Sequence, residues 1–265
     1  MQQNQLVIPS MELARAVVEI CSAAAEVIMK IYHKGDFETM SKQDDSPVTV
    51  ADLMSNKILT ENLTRLTPHI PIISEESAEI PYSQRQHFEF CWIIDPLDGT
   101  RGFVNRRPEF AINVALIQRD TPVLGVVYVP PTEGGYFAVK GEGAWKVTNG
   151  IESRLYCATH DPQAKGLRIP MSRSHKNRDT EKLVAQYVEP QIIVVGGALK
   201  FLYVAEGKAD VYPRISGMRE WDTAAPQIIV EEAGGTMVGL FDGQPLRYNK
   251  ENLASPNFIC SGRKM

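Results

Sequence analysis

From Ser10 to about Tyr32 the apolar residues Leu13, Val17, Ile20, Ala24, Val27 and Ile31 recur at alternating steps of four and three. That spacing predicts an amphipathic helix, with Ser10 as its N-cap and Gly35 as its stop. A second helix is predicted from about Ala51 to Leu66, preceded by Pro47 and capped by Thr49. Asp52 then sits in its first turn, where the helix dipole favours a carboxylate. The pattern then shortens to strand-like runs at 70–74, 90–94, 110–118 and 122–130, and to a hairpin at 134–147 turning at Gly141-Glu142-Gly143.

Beyond the hairpin the pattern alternates. Strands are predicted at 167–172, 191–197 and 209–213, and helices at Asn177–Tyr187, 198–206 and Trp221–Ala233, the last stopped by Gly234-Gly235. Two helices followed by a largely antiparallel sheet read as α+β, and the alternating second half as α/β. The expected division is an N-terminal α+β domain at 1–133 and a C-terminal α/β domain at 134–265, with the active site between them.

Composition narrows the function classes. Of 265 residues, 43% are apolar and 23% charged, with 28 basic against 32 acidic side chains and a net charge of −4. This argues against a protein that coats nucleic acid polymers, while leaving room for a local basic pocket. The N-terminus has no charged segment followed by an apolar one, and no apolar run is long enough to span a bilayer. Cys21, Cys91, Cys157 and Cys260 form no C-x-x-C pair, so reduced thiols and a cytoplasmic location are expected; peripheral contact with the inner membrane stays open. The Asn62-Leu63-Thr64 sequon is read as chance.

Candidate chemistry begins at "WIIDPLDGT" (92–100), where an apolar strand delivers Asp95 and Asp98 and then turns. Strand 70–74 likewise ends in Glu75-Glu76. If the two strands are neighbours, Glu75, Asp95 and Asp98 converge, and crowded carboxylates are tolerable mainly when cations neutralise them. Oxygen-only donors select hard ions such as Mg²⁺ or Mn²⁺. The turn can add the Leu97 carbonyl as a ligand, Gly99 and Thr100 can offer backbone N–H groups to a phosphate, and the Thr100 hydroxyl can hold a water. The alternative for an isolated D-x-x-D is a helix cap with the second acid solvated; the full string, with the earlier Glu-Glu, favours the cluster.

These strings resemble a known family. "WIIDPLDGT" is similar to the first signature of the inositol monophosphatase superfamily of Mg²⁺-dependent, lithium-sensitive phosphatases, and "REWDTAAPQIIVEEAGG" (219–235) to the second. "SPVTVAD" (46–52) and "ISEES" (73–77) resemble its other active-site segments, in the expected order. The resemblance implies a layered sandwich of alternating helix and sheet layers, of the inositol monophosphatase and fructose-1,6-bisphosphatase type. "LDGTRGFVNRRPEFAINVALI", "MSRSH" and "LKFLYVAEGKADVYPR" point further to its CysQ-type 3'(2'),5'-bisphosphate nucleotidase branch.

The resemblance implies that Glu75, Asp95, Asp98, Asp222 and the Leu97 carbonyl hold metal, with Mn²⁺ able to replace Mg²⁺ and Li⁺ inhibitory. It implies that Asp52 pairs with Thr100 to orient and deprotonate the attacking water, with Glu75 contributing to catalysis. Gly99, Thr100, Ser172, His175, Lys200, Arg214 and Asp222 are implied at the substrate, Lys200 and Arg214 on a non-reacting phosphate. The implied substrate is a small phosphate ester, adenosine 3',5'-bisphosphate, cleaved to AMP and phosphate in sulfur assimilation by a monomer or homodimer. Alternatives are an inositol or sugar monophosphatase on the same scaffold, and a nucleotide sensor without turnover. Asp222 is also readable as a plain helix cap, and Glu76 as a secondary contact. One departure stands out: the branch usually carries Gly-Ser-Ser before Leu-Lys, where this chain has Gly196-Gly197-Ala198. There is no G-x-S-x-G, Walker A or H-E-x-x-H string.

Overall fold

The computed structural model describes residues 9–35, 39–41, 47–173, 177–215 and 217–265. Helix α1 (Met11–Lys34) forms as the spacing predicts, with the Ser10 hydroxyl accepting from Leu13 N and Gly35 closing it at φ 82°. Its buried stripe is Ala14, Val17, Val18, Cys21, Ala24, Ala25 and Ile28, with Leu13 and Val27 at its margin. Small residues dominate that stripe because the helix lies close to the sheet: a Cβ on Gly135 would stand 3.0 Å from Val18 Cγ1. An antiparallel pair, β1 (Thr39–Ser41) and β2 (Pro47–Thr49), leads into α2 (Val50–Leu66), capped by Thr49.

The main sheet collects β3 (Ile72–Ser74), β4 (Phe90–Asp98), β5 (Ala111–Gln118), β6 (Thr121–Val129), β7 (Gly134–Val139), β8 (Gly143–Thr148) and β9 (Ile151–Arg154), in chain order. Only β3 and β4 run parallel; all other neighbours are antiparallel. Two short helices interrupt it, α3 (Tyr82–Arg85) and α4 (Thr100–Val104). Helix α3, four residues long, is too short to show a hydrophobic period in the sequence.

Two expectations need correction. The strand expected at 90–94 does not stop there: β4 runs on to Asp98 and takes up Pro96 and Leu97 in a register shift between the pairs Asp95–Asn113 and Asp98–Ala111. A bulge is where a sheet tolerates a residue with no ladder N–H. Nor does the sheet respect the division at 133/134, since β6 pairs with β7 along its length and the sheet continues to Arg154.

The remaining elements are β10 (Thr159–His160), β11 (Arg168–Met171), α5 (Arg178–Val184), β12 (Gln191–Val194), α6 (Leu199–Ala205), β13 (Val211–Arg214), α7 (Glu220–Glu232), β14 (Thr236–Gly239), β15 (Phe258–Ser261) and β16 (Arg263–Lys264). β11, α5 and β12 make the expected parallel crossover unit. The sheet β13-β15-β14 is instead antiparallel, because no helix separates β14 from β15.

The result is a layered sandwich, as the resemblance implied. α1 and α2 cover one face of the main sheet, α6 and α7 cover the other, the β13-β15-β14 sheet and β11 pack outside α6 and α7, and α5 lies beyond them against β13. Alternation along β4 serves both cores: Trp92 and Ile94 face α1 and α2, while Cys91 and Ile93 face α7. This buries both faces of β4 and leaves its C-terminal end as the outlet for its acids.

Candidate active site

The parallel pairing of β3 with β4 brings two acidic strand ends together. The register ends at Ser74–Ile94, and the ladder is extended by Glu75 N donating to Ile94 O at 3.2 Å. Glu75 therefore lies beside Asp95, which is 1% exposed. Beyond the bulge, Asp98 returns to the same place. The third element is α7, whose first turn carries Asp222. One carboxylate oxygen from each of Asp95, Asp98 and Asp222 lies within 4.8 Å of the others.

The second helix fastens this corner from the other side. Residues at i, i+3 and i+4 share a helix face, and three polar ones on α2 reach the strand ends. Thr100 Oγ1 donates to Asp52 Oδ1 at 3.1 Å. Ser55 Oγ donates to the Pro96 carbonyl at 2.8 Å, and Ser74 Oγ to Asn56 Oδ1 at 2.7 Å. The other Asp52 oxygen accepts from Thr49 N and Oγ1 at 2.8 and 2.6 Å. Asp52 thus both caps its helix and holds Thr100.

The electrostatics of the cluster are those of crowded like charges out of water. Burial, then the charges of Glu75, Asp98 and Asp222, push the Asp95 carboxyl well above the usual range. Burial, then Asp98 and Glu75, raise Asp222 to about 8. Burial raises Asp98 as well, opposed by Lys200 and by a hydrogen bond from the Ala198 backbone. The donor set is oxygen-only and over-charged, which fits a hard divalent cation. The Leu97 carbonyl is also at hand. It stands 3.1 Å from Thr100 Oγ1, but that hydroxyl has a single proton, and donating it to Asp52 leaves the carbonyl lone pairs for a cation.

The cluster floors a cleft of about 230 Å³ whose lining includes Glu75, Gly99, Thr100, Ser172, Lys200 and Arg214. The cationic wall is built by α6 and β13. Lys200 is 4% exposed; its Nζ donates to the Gly197 carbonyl at 2.6 Å and lies 5.6 Å from the Tyr212 ring centre. Burial lowers its pKa to about 8, against the opposing pull of Asp98. Lys200 is therefore a counter-charge to the acids as well as a cleft wall.

Among the sequence-derived candidates, Glu75, Asp95, Leu97, Asp98, Gly99, Thr100, Ser172, Lys200, Arg214 and Asp222 all line this cleft, and Asp52 stands behind Thr100. His175 lies outside the described residues. The two readings of Asp222 prove compatible: its Oδ2 accepts from Arg219 N at 2.7 Å as a cap does, and the carboxylate belongs to the acidic cluster. The Gly-Gly-Ala segment packs against the cluster. Gly197 has φ +53°, and a Cβ there would stand 2.9 Å from Asp98 Oδ2. Tyr212, Met218 and Trp221 also line the cleft; apolar side chains in a buried pattern gave no separate signal for them.

Comparisons with known proteins point to one family. The model of the inositol monophosphatase family matches residues 10–264. The chain is 40% identical to the 3'(2'),5'-bisphosphate nucleotidase CysQ of Aggregatibacter actinomycetemcomitans, over 93% of this chain and 91% of that protein. It is 37% identical to CysQ of Escherichia coli K12, over 92% and 98% respectively. Among solved structures, CysQ of Bacteroides thetaiotaomicron superposes with a TM-score of 0.84 at 36% identity, covering 96% of this chain and 98% of that one. A Thermotoga maritima inositol monophosphatase superposes at 0.78 with 25% identity, covering 95% and 92%.

Proposed function

The chain belongs to the inositol monophosphatase family, and from that premise we propose that it is a Mg²⁺-dependent 3'(2'),5'-bisphosphate nucleotidase that hydrolyses the 3'-phosphate of adenosine 3',5'-bisphosphate to AMP and phosphate. The observation that carries this reading is the meeting, in one cleft, of three clustered carboxylates, a Thr–Asp pair and a buried lysine. A role in sulfur assimilation is proposed with it, on resemblance alone.

Asp95, Asp98, Asp222, Glu75 and the Leu97 carbonyl would hold the cation. When bound, a divalent cation neutralises the transferring phosphoryl group and lowers the pKa of the attacking water. The chain's own groups do the rest. Thr100 Oγ1 donates its hydrogen bond to Asp52, so its lone pairs are free to accept from the attacking water and aim it. Burial raises the Asp52 pKa against the hydrogen bonds from Thr49 and Thr100 that lower it, which makes it a better base than a solvated aspartate. The water's proton can then pass through Thr100 to Asp52. Gly99 and Thr100 border the phosphoryl position, and Lys200 and Arg214, with Ser172 beside them, offer the cationic surface a second phosphate requires.

The test is phosphate release from adenosine 3',5'-bisphosphate, adenosine 3'-monophosphate, inositol monophosphate and a sugar phosphate, each with and without Mg²⁺. Preference for the bisphosphate supports the assignment. Preference for inositol monophosphate transfers it to the sister activity, and no Mg²⁺-dependent release would return the chain to a binding role.

A further inference from the structure

One buried polar side chain beside the acidic cluster is left without a hydrogen-bonding partner among the described residues. Asn113, in the middle of β5, is 0% exposed, and neither its Nδ2 nor its Oδ1 has a hydrogen-bond partner among the described residues. Buried amides are almost always paired, and an exception calls for a reason.

Its place in the sheet supplies one. Asn113 is the cross-strand partner of Asp95, and partners directly opposite each other present their side chains on the same face, close enough to interact. The neighbouring pair, Ile93–Ala115, lies in the core under α7, whereas Ile94 and Val114 face α2. By that alternation Asp95 and Asn113 both point towards α7, the helix that packs on β5 and brings Asp222 to the cluster. Asp95 Oδ1 accepts from Leu97 N at 3.0 Å across the bulge. That bond holds one carboxylate oxygen, and the group still has a torsion to fix.

We propose that Asn113 is a positioning residue of the acidic cluster: its Nδ2 donates to one buried water that in turn donates to the Asp95 carboxylate, and this bridge sets the orientation in which that carboxylate meets a divalent cation. The proposal rests on reading the cluster as a cation site. Partners behind a ligand commonly decide its orientation and are worth a decade or two in metal affinity. An aliphatic residue would pack better at this position, so a carboxamide there is costly unless it serves the carboxylate opposite.

The experiment uses the metal-free full chain, with Mn²⁺ binding followed by electron paramagnetic resonance of the free ion and by calorimetry, and with thermal unfolding of the same samples. In Asn113→Leu and Asn113→Ala, Mn²⁺ affinity is expected to fall about 10- to 100-fold. The Mg²⁺ concentration for half-maximal phosphate release should rise in step. The Leu variant should unfold no earlier than the wild type when metal-free, because it buries no orphaned amide. Asn113→Ser keeps a hydroxyl donor and should recover most of the affinity. If any folded Leu or Ala variant binds Mn²⁺ within about twofold of the wild type, a change too small for a ligand-orienting partner, Asn113 is only a buried amide and the proposal fails. If the wild type itself binds no Mn²⁺, the cation-site reading fails and takes the proposal with it. Should Leu prove too bulky to fold, Ala and Ser decide the matter.

Discussion

Two charged clusters meet at the start of α7, two residues apart in the chain, and they are built on opposite principles. Glu220 is 0% exposed, and its oxygens accept from Asn249 N at 2.6 Å, from Lys250 N at 3.2 Å and from the Lys250 ammonium. Asn249 in turn accepts from Arg85 and donates to the Arg85 carbonyl, and the buried Arg85 guanidinium also donates to the carbonyls of Ile80, Lys250 and Glu251. Every acid in that network faces donors. Asp222 instead faces Asp95 and Asp98. The first arrangement stabilises the fold by satisfying what it buries. The second crowds carboxylates that Lys200 offsets only in part, an imbalance a binding site can exploit. Burial of a carboxylate therefore says little about its role; the sign of its neighbours says a great deal.

The sharpest way to break that contrast is on the satisfied side. Arg85→Met should orphan the Asn249 oxygen and three carbonyls and cost about 3–5 kcal/mol of stability. Denaturant unfolding would measure it, and the fraction that remains folded should turn over substrate almost normally. Loss of activity at unchanged stability would mean that this network serves the chemistry.

The matching change on the unsatisfied side is Asp95→Asn. Removing one charged ligand should lower phosphate release by ~10²-fold or more. The metal-free protein should unfold at the same temperature or higher, because one source of repulsion is gone. Near-normal turnover would take Asp95 out of the cation site.

A smaller effect separates water orientation from metal binding. Thr100→Ala should reduce the single-turnover rate about 10- to 100-fold with little change in substrate or Mg²⁺ affinity. An unchanged rate would leave Thr100 as a plain helix-start residue.

The smallest effect is on stability against pH. Without a cation the cluster carboxyls have folded-state pKa values raised above their unfolded values, Asp222 to about 8. A raised folded pKa gives stability that is fully present below the unfolded value, near 4, and is lost as pH rises through the folded one. The melting temperature of the metal-free protein should therefore decline from about pH 5 to pH 8, and Mg²⁺ should restore more of it at the upper end. A flat profile without metal would show that the acids are already compensated. Inhibition by Li⁺ against a NaCl control is a further check on the same site.

The local chemistry of this protein was readable along the chain. Ser10, Thr49 and Gly35 announced the helix ends, since caps act within a few residues. The acids at 75, 95 and 98 stood out because a carboxylate closing an apolar strand needs a reason. What the chain could not display is which groups face each other. Arg85, Glu220 and Asn249 look like ordinary surface residues until three distant segments close over them. Asn113 did leave a trace, a single amide in the apolar run "FAINVALI", yet only the register of β5 against β4 places it opposite Asp95. The bulge at Pro96 and the sheet that runs past residue 133 were likewise settled by strand pairing. Propensity and capping are short-range and act through the residues that carry them. Register, burial and charge proximity belong to pairs far apart in sequence, and those pairs exist only once the layers have packed.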